Sequence, residues 1–524
     1  MSQDYKITKE TLNNLTSVLQ KLAVQSEQLE IREEKASQRN LVVGSSSTKH
    51  ELKKSFKEYS QDYIDFTYEC PTIYHVVRYF GKLLEENGFK YISEKSDWDD
   101  VHQGKYYTTR NGTNLCAFTL GSSWTPQKGV GAIGGHIDAL TAKLKPASKK
   151  PEVEGFELLG VAPYGGTLNE IWLDRDLGIG GRVLVKDSKT GAVKSVLCDS
   201  TPHPIAKIPS LAPHFGAPAV GPFDKEDQTV PVIGYVGNGD YDDDDADYDL
   251  EDEKKSPLYG KHSIHLLRYI AQLLSVKVSE ISQFDLDLFD VQKGTFGGLK
   301  DEFIFAPRID DRICSFSAIT ALIEYCNSTP AHVLENGSQF NLAALYDNEE
   351  VGSLSRQGAK GGLLESCVER VIANLFSDVA KTRTAFANSI IISADVNHMV
   401  NPNFNNVYLE NHKPKPNVGI TLALDANQHM ATDVVGTALV EELARLNDDK
   451  IQYFQIKNNS RSGGTIGPSI ASQTGARTID MGIAQLAMHS IRATTGSKDV
   501  GLAVKFFSGF YKNWREVYDN FGDL

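Results

Sequence analysis

Two adjacent glutamates at the end of an apolar run are the first residues whose types and spacing suggest chemistry. The run 341–346 (NLAALY) predicts a buried strand, and Asp347, Glu349 and Glu350 directly follow it. Adjacent carboxylates repel each other, and a divalent cation is one group that offsets such repulsion. One carboxylate could bind the cation while the other acts as a base on a nearby water. From this segment alone, a solvent-exposed acidic turn is an equally good interpretation.

Four further strand-like runs end in residue types that bind metals. GAIGG leads to His136 with Asp138 two positions on, FIFAPRI leads to Asp310 and Asp311, IIISA leads to Asp395, and IAQLAM leads to His489. A single polar residue at a strand end is usually structural. Five such ends in one chain favour a shared site, because open α/β sheets bind ligands at the carboxyl ends of their strands.

The residue types suit a pair of zinc ions or related divalent ions, which histidine and carboxylate ligands hold well. Ions ~3.5–4 Å apart share a bridging carboxylate. If each ion takes one histidine and one further carboxylate, one acid is left over as a general base. Asp138 lies close enough in sequence to His136 to orient its ring through the second ring N–H.

The positions between these residues predict an α/β protein of several domains, as 524 residues suggest. Residues 1–48 form an amphipathic arm, with leucines at helical spacing, although a helix packed on the body fits that pattern equally well. Residues 49–139 and 296–524 alternate strands and helices and form an α/β/α catalytic domain. Residues 140–295 form an inserted, mainly β domain, with an acidic loop at 237–256.

Composition excludes several functional classes. The net charge of −14 argues against a nucleic-acid binder and against a basic membrane-binding patch. No run of 18 apolar residues and no signal pattern is present, so we expect a soluble protein made in the cytosol without a membrane span. The six cysteines are scattered and contain no CxxC pair, which predicts reduced thiols instead of a zinc cluster or disulfide framework.

The motifs, taken together, resemble one family. HxD at 136–138, PRIDD at 307–311, DNEEVGS at 347–353, SAD at 393–395 and MHSIR at 488–492 are similar to those of the aspartyl/vacuolar aminopeptidase I family of dinuclear zinc aminopeptidases. The likeness runs from about residue 55 to the C-terminus and includes YGGTLNEIWLDRDLGIGGR, IPSLAPH and SGGTIGPSIAS. The fungal vacuolar members are the most similar branch.

The resemblance implies a role for each matching residue. Asp310 would bridge two zinc ions, His136 and Asp395 would complete one site, and Glu350 and His489 would complete the other. Glu349 would be the catalytic base, and Asp138 would be the second catalytic residue, which orients His136. The residues that the resemblance implies for substrate binding are His214, which would reach into a neighbouring subunit, His398 and Met430.

The resemblance also implies an assembly and a cellular route. The inserted domain would build dimers, and six dimers would close into a dodecamer with its active sites facing inward. The arm would be a propeptide that a selective-autophagy receptor reads, so that a protein made in the cytosol reaches the vacuole and is cut there. Peptides would be the substrates.

Specificity departs from the acid-specific branch, where a lysine is expected to meet an acidic first residue. The matching stretch GITLALDANQHMATD contains no lysine, and Ala423 occupies the nearest position, among Leu422, Leu424 and Met430. An apolar pocket favours a neutral, leucine-like first residue, because burial of an unpaired carboxylate is costly. Three alternatives remain: an aspartyl aminopeptidase, an inactive scaffold or autophagy cargo, and a deacylase or carboxypeptidase, for which the sequence identifies no cationic clamp.

Overall fold

The computed structural model describes residues 52–236 and 248–524, and every structural statement here concerns those residues. Their strands form three sheets of nine, six and five strands. The predicted arm at 1–48 and positions 237–247 of the acidic loop lie outside the described residues. In the described part, no helix is long and apolar enough to cross a membrane.

The nine-stranded sheet carries the alternating strands that the sequence predicts. In their order across the sheet, its strands are β1 (Lys90–Tyr91), β2 (Gly104–Arg110), β3 (Asn114–Leu120), β13 (Phe340–Tyr346), β4 (Gly131–His136), β14 (Ile390–Ala394), β18 (Arg477–Gly482), β16 (Thr421–Ala423) and β17 (Gln452–Phe454). The central strands β13, β4, β14 and β18 are parallel. Their carboxyl ends therefore lie at the same edge of the sheet.

Both faces of this sheet are covered by helices, because alternate residues of its central strands are apolar on both sides. In β13, Ala343 and Leu345 pack into one core cluster, while Leu342 and Ala344 pack into another. The helices that contribute to the first cluster are α1 (Phe56–Glu69), α2 (Ile73–Glu86), α5 (Ile309–Ser328), α9 (Val434–Asn447) and α11 (Asp499–Asp519). Those that contribute to the second are α7 (Leu363–Phe376), α8 (Lys381–Ala387) and α10 (Gly467–Thr474).

The six-stranded sheet is built from residues 141–290, which lie between the two segments predicted to form the catalytic domain, 49–139 and 296–524. In order across the sheet, its strands are β8 (Val193–Asp199), β7 (Leu177–Lys186), β10 (Ile281–Asp290), β5 (Thr141–Lys149), β6 (Phe156–Tyr164) and β9 (Val232–Tyr235), and all neighbours are antiparallel. Helix α4 (Ile264–Leu274) adds Leu267 and Ile270 to the core of this sheet. The short helices α3 (Leu250–Glu253) and α6 (Ala331–Asn336) complete the helical elements.

A five-stranded sheet is built from short strands that alternate in sequence with those of the nine-stranded sheet, and two of the expected histidines lie in it or in its loops. Its strands, in order, are β11 (Thr295–Gly297), β12 (Phe303–Ala306), β20 (Ala493–Gly496), β19 (Ala484–Leu486) and β15 (Asn397–His398). His398 ends β15, and His489 lies in the loop between β19 and β20. The prediction that all ligands end strands of one sheet is therefore wrong for His489, and also for Asp310, which lies in the first turn of α5 beyond the end of β12.

Candidate metal centre

Five side chains from distant parts of the chain form two groups of possible metal ligands that share Asp310. His136, Asp310 and Asp395 form one group, and Asp310, Glu350 and His489 form the other; within each group the ligand atoms lie within 4.8 Å of one another. Oδ1 of Asp310 lies 3.2 Å from Nε2 of His136, and Oδ2 lies 3.6 Å from Nε2 of His489. The two oxygens of one carboxylate thus face different groups, as a bridging ligand requires.

The remaining separations also suit two small ions. Nε2 of His136 lies 3.7 Å from Oδ1 of Asp395, and Nε2 of His489 lies 3.7 Å from Oε2 of Glu350. Tetrahedral zinc with ligands at ~2.0–2.2 Å holds those ligands roughly 3.3–3.6 Å from one another. The donor set of imidazole nitrogens and carboxylate oxygens, at these spacings, fits zinc at both positions.

Three of these residues are brought together by parallel strands. His136 ends β4 and is in register with Tyr346 at the end of β13, while Asp395 follows the last residue of β14. Glu349 and Glu350 begin a short 3₁₀ turn just after β13. The edge where these strands end is the ligand-binding edge that open α/β sheets commonly use.

Asp310 and His489 reach the same edge from other elements. Asp310 lies where α5 begins, and its backbone is not helical, so its side chain precedes the regular turns of that helix. His489 has a positive φ of 62° in its loop and is the most exposed of the five, with 57% of its side chain accessible. A β-strand pattern could not have located either residue correctly.

Asp138 links the two halves of the site without belonging to either group. Its Oδ1 accepts a hydrogen bond from Nδ1 of His136 at 3.2 Å, which directs Nε2 of the ring toward Asp310. The backbone N–H groups of Glu349 and Glu350 donate to Oδ1 and Oδ2 of Asp138, each at 3.2 Å. This carboxylate therefore fixes the histidine and both glutamates relative to one another, in the orienting position that the sequence suggests.

Glu349 lies beside the two groups but in neither of them. Its Oε2 is 3.9 Å from Nε2 of His136, and 17% of its side chain is accessible. Burial raises the pKa of Glu349 to about 8, and the nearby carboxylate of Asp395 adds to the shift. A carboxyl group close to the ligands, reachable by solvent and able to hold a proton near neutral pH, has the properties of a general base.

The site without metal holds more negative charge than its surroundings stabilise. Burial raises the pKa of Glu350 to about 10, with repulsion from Asp310 as the next cause, and burial also raises the pKa of Asp395. Burial opposes a charged His136, but its hydrogen bonds to Asp138, Asp310 and Asp395 outweigh that effect and raise its pKa well above normal. Oε1 of Glu350 is buried without a hydrogen-bond partner. Cations at this position would both offset the repulsion and satisfy that oxygen.

An open cleft of about 440 Å³ leads to the two groups. Glu349, His398 and Met430 all line it, so two of the three expected substrate-binding residues lie beside the catalytic candidates. The rings of His398 and Phe454 pack at a tilt of 52°, with their centroids 5.2 Å apart. Burial lowers the pKa of His398, so it is neutral at neutral pH and can accept a hydrogen bond from substrate.

The expected apolar pocket around Ala423 needs correction. Leu422 and Ala423 are buried in the sheet, and Leu424 packs against the same core, so none of them lines the cleft as part of an apolar pocket. The strand that contains Leu422 and Ala423, β16, pairs with β17 on one side and β18 on the other, so it lies inside the sheet. Phe454 and Met488 line the cleft instead. No pattern in the sequence around these two residues indicated that they would do so.

The third expected substrate-binding residue, His214, lies elsewhere. It belongs to the exposed turn Pro213–Phe215 and is not among the residues of its own described chain that line the cleft. A cation that sequence reasoning missed does line it: Lys360, whose ammonium group donates to the carbonyl of Gly352 at 3.2 Å. Its position after GSLSRQG gives no pattern that would have marked it.

A buried carboxylate connects the two loops that form the far wall of the cleft. Oδ2 of Asp480 accepts a hydrogen bond from the backbone N–H of Ala431, next to Met430, and Oδ1 accepts one from the hydroxyl of Thr465 at 2.6 Å. A side chain on Gly467 would meet this carboxylate at 2.4 Å, so only glycine fits there. The wall that carries Met430 is thus held in a fixed position.

Comparisons with known proteins identify the family to which this chain belongs. The family model "Aminopeptidase I zinc metalloprotease (M18)" matches residues 66–511. Vacuolar aminopeptidase 1 of Saccharomyces cerevisiae is 61% identical over 98% of this chain and 99% of that protein, and the aspartyl aminopeptidase of Aspergillus oryzae is 35% identical over 88% and 97%. The solved S. cerevisiae mApe1 dodecamer superposes with a TM-score of 0.81 at 60% identity, covering 90% of this chain and 100% of that chain. The chain belongs to the aminopeptidase I family of zinc metalloproteases, M18.

Proposed function

We propose that this protein removes neutral, apolar first residues from peptides by using two zinc ions and Glu349 as general base. The observation that carries the proposal is the shared carboxylate of Asp310, whose two oxygens face two separate groups of ligands. Glu349 lies next to these groups without joining either. Family membership supplies the class of reaction and the kind of metal.

Each ligand has a role in this proposal. Asp310 would bridge the ions, His136 and Asp395 would complete one position, and Glu350 and His489 would complete the other. When bound, paired zinc ions lower the pKa of a water and polarise the carbonyl of the scissile bond.

Glu349 would take the proton from the attacking water and then pass it to the leaving amine. A positioned general base of this kind typically contributes about 10²–10⁴-fold to the rate. Asp138 keeps Glu349 and His136 in register through the hydrogen bonds to both. Several carboxylates line the cleft, and they would attract the positively charged free amine of the first residue and confine attack to that residue.

Met430, Phe454 and Met488 form apolar surface along the cleft and support a preference for a leucine-like side chain. The alternative is an aspartyl aminopeptidase. It is favoured by one observation, the ammonium group of Lys360 in the same cleft, which an acidic side chain could reach. The 35% identity to an aspartyl aminopeptidase is well below the 61% identity to vacuolar aminopeptidase 1.

Hydrolysis of leucyl and aspartyl amides by the same preparation tests both proposals. We expect kcat/KM to be about 10-fold or more higher for the leucyl amide than for the aspartyl amide. The aspartyl side chain would lose the apolar contacts of the leucyl side chain and would bury a carboxylate without a partner. Chelation should abolish the activity and added zinc should restore it. Faster aspartyl hydrolysis would select the alternative, and no zinc-dependent hydrolysis of either amide would indicate an inactive scaffold.

The same proposal extends to assembly. The six-stranded sheet and His214, on an exposed turn outside the cleft of its own chain, suit a dimerisation domain that supplies His214 to a neighbouring active site. The solved mApe1 relative is a dodecamer, which supports a dodecamer of this chain built from dimers. Mass measurement in solution tests the assembly, and His214→Ala tests the shared site, because it should lower activity while leaving the zinc content and the assembly unchanged.

The predicted arm at 1–48 would direct delivery to the vacuole through a selective-autophagy receptor. The name of the S. cerevisiae relative, vacuolar aminopeptidase 1, supports the vacuole as the destination. A tagged chain without residues 1–45, expressed in fungal cells, should remain an active enzyme in the cytosol. Unchanged vacuolar delivery of that shortened chain would contradict the role of the arm.

A further inference from the structure

A tyrosine from the six-stranded sheet reaches into the metal centre. Tyr164 ends β6, opposite Thr141 at the start of β5, and β5 begins shortly after Asp138. The chain thus leaves the centre along β5 and returns along β6. The hydroxyl of Tyr164 donates to Oδ2 of Asp138 at 2.7 Å.

That hydroxyl completes the hydrogen bonding of the one carboxylate that holds both halves of the site. Oδ1 of Asp138 accepts from His136 and from the N–H of Glu349, and Oδ2 accepts from Tyr164 and from the N–H of Glu350. The Tyr164 contact is the shortest of the four. Asp138 is 4% exposed, so water cannot replace a lost donor easily.

The tyrosine is itself fixed from two sides. Its oxygen accepts a hydrogen bond from Nδ2 of Asn348 at 2.9 Å, and Oδ1 of Asn348 accepts one from the hydroxyl of Ser355 at 2.8 Å. The ammonium group of Lys143 lies 5.6 Å from the centre of the tyrosine ring, and Asp287 holds that ammonium group at 2.8 Å. Asn348 directly precedes Glu349. The hydroxyl of Tyr164 therefore connects the turn that carries the two glutamates, through Asn348, to the carboxylate of Asp138.

We propose that Tyr164 is a positioning residue for the metal centre, which sets the orientation of Asp138 and through it the geometry of His136, Glu349 and Glu350. The inference rests on the proposed function and deepens it. It gives the six-stranded sheet a part in building the active site of its own chain. Removal of a residue that hydrogen-bonds a metal ligand, as Asp138 does to His136, commonly changes metal affinity by about 10–100-fold. Tyr164 lies one contact further from the ion, so we expect an effect at the lower end of that range.

Tyr164→Phe tests the proposal, because it removes one oxygen and keeps the ring. Zinc dissociation constants, measured by competition with a chelator of known affinity, should rise about 10-fold for at least one of the two ions, the lower end of the range for residues that orient ligands. The unfolding temperature of the chelated variant should stay close to that of the chelated wild type. The control is Tyr59→Phe, since Tyr59 is a buried tyrosine that donates to the carboxylate of Glu324 at 3.0 Å, in a different part of the core.

A double-mutant cycle separates positioning from general packing. If Tyr164 acts through Asp138, Tyr164→Phe should change zinc affinity by less than about 2-fold in an Asp138→Asn background, although it has a large effect in the wild type. Equal effects in the two backgrounds, or equal losses in Tyr59→Phe and Tyr164→Phe, would overturn the positioning role. So would unchanged zinc affinity in Tyr164→Phe.

The outcomes are distinguishable from a failure of the proposed function. A zinc-loaded wild type that cleaves no amide would refute the proposed hydrolysis whatever the variants do. Unchanged zinc binding by Tyr164→Phe in an active enzyme would refute only the role of Tyr164.

Discussion

Nε2 of His136 and Oδ1 of Asp310 lie 3.2 Å apart although 174 positions separate them in the chain. One residue ends a central strand and the other begins a helix, and no local pattern connects them. Their proximity, with His489 near the other oxygen of Asp310, defines the candidate metal centre.

Glu349→Gln should retain zinc and lose about 10²–10⁴-fold in kcat on a leucyl amide. The amide cannot accept the proton of the attacking water, whereas Glu349 belongs to neither ligand group. Zinc content and steady-state kinetics measure the two effects on the same sample. Glu369→Gln, at an exposed position in α7, is the matched control and should leave both unchanged. A Glu349→Gln variant that retains full turnover would remove Glu349 from the mechanism.

Asp310→Asn should lower the affinity for both ions, because Asp310 belongs to both ligand groups. His489→Ala should weaken only one, since His489 belongs to one group. Zinc stoichiometry after dialysis at graded chelator concentrations distinguishes the two variants. The bridging role fails if Asp310→Asn loses one ion and holds the other as tightly as the wild type.

The metal-free protein should lose stability as the pH rises. The ordinary pKa of a glutamate side chain is 4.5. In the folded, metal-free protein burial raises the pKa to about 8 for Glu349 and to about 10 for Glu350. The folded state therefore binds these protons more tightly, so their stabilisation is complete below about pH 4.5 and is lost as the pH passes through 8 and toward 10.

Thermal unfolding of chelated protein between pH 6 and pH 9 measures this effect. Zinc-loaded protein should depend less on pH, because cations then offset the repulsion that protons otherwise relieve. Chelated Glu350→Gln should also be less sensitive, since the group with the higher pKa is absent. Identical pH dependence with and without zinc would contradict the assignment of these glutamates to the metal centre.

Met430→Ala should reduce the preference for a leucyl over an alanyl first residue. Met430 lines the cleft, and the loss of apolar contact in such a pocket changes discrimination by about 10-fold. The ratio of kcat/KM for the two amides measures it. Val333→Ala, at an exposed position in α6 away from the cleft, serves as the control. An unchanged ratio would place the pocket for the first residue elsewhere.

Sequence reasoning anticipated the central strands because their signals are local. The run 341–346 falls within Phe340–Tyr346, and the acids after it meet His136 because neighbouring parallel strands end together. Helices α1 and α2 are separate because Pro71 lies between them, and the proline ring cannot continue the hydrogen bonding of a helix. The periodicity of apolar residues along one segment is enough to predict such strands and helices.

The chain of amino acids by itself determined the types of ligand, the apolar strands that carry three of them and, through the collinear motifs, the family. Only the tertiary structure decided that Asp310 comes from a helix start, that His489 comes from a loop, that Leu422 and Ala423 belong to the core, and that Tyr164 returns to hold Asp138. The physical reason is one of range. Periodicity reports how a segment faces its immediate surroundings, whereas contacts between distant segments depend on how sheets and loops pack against one another.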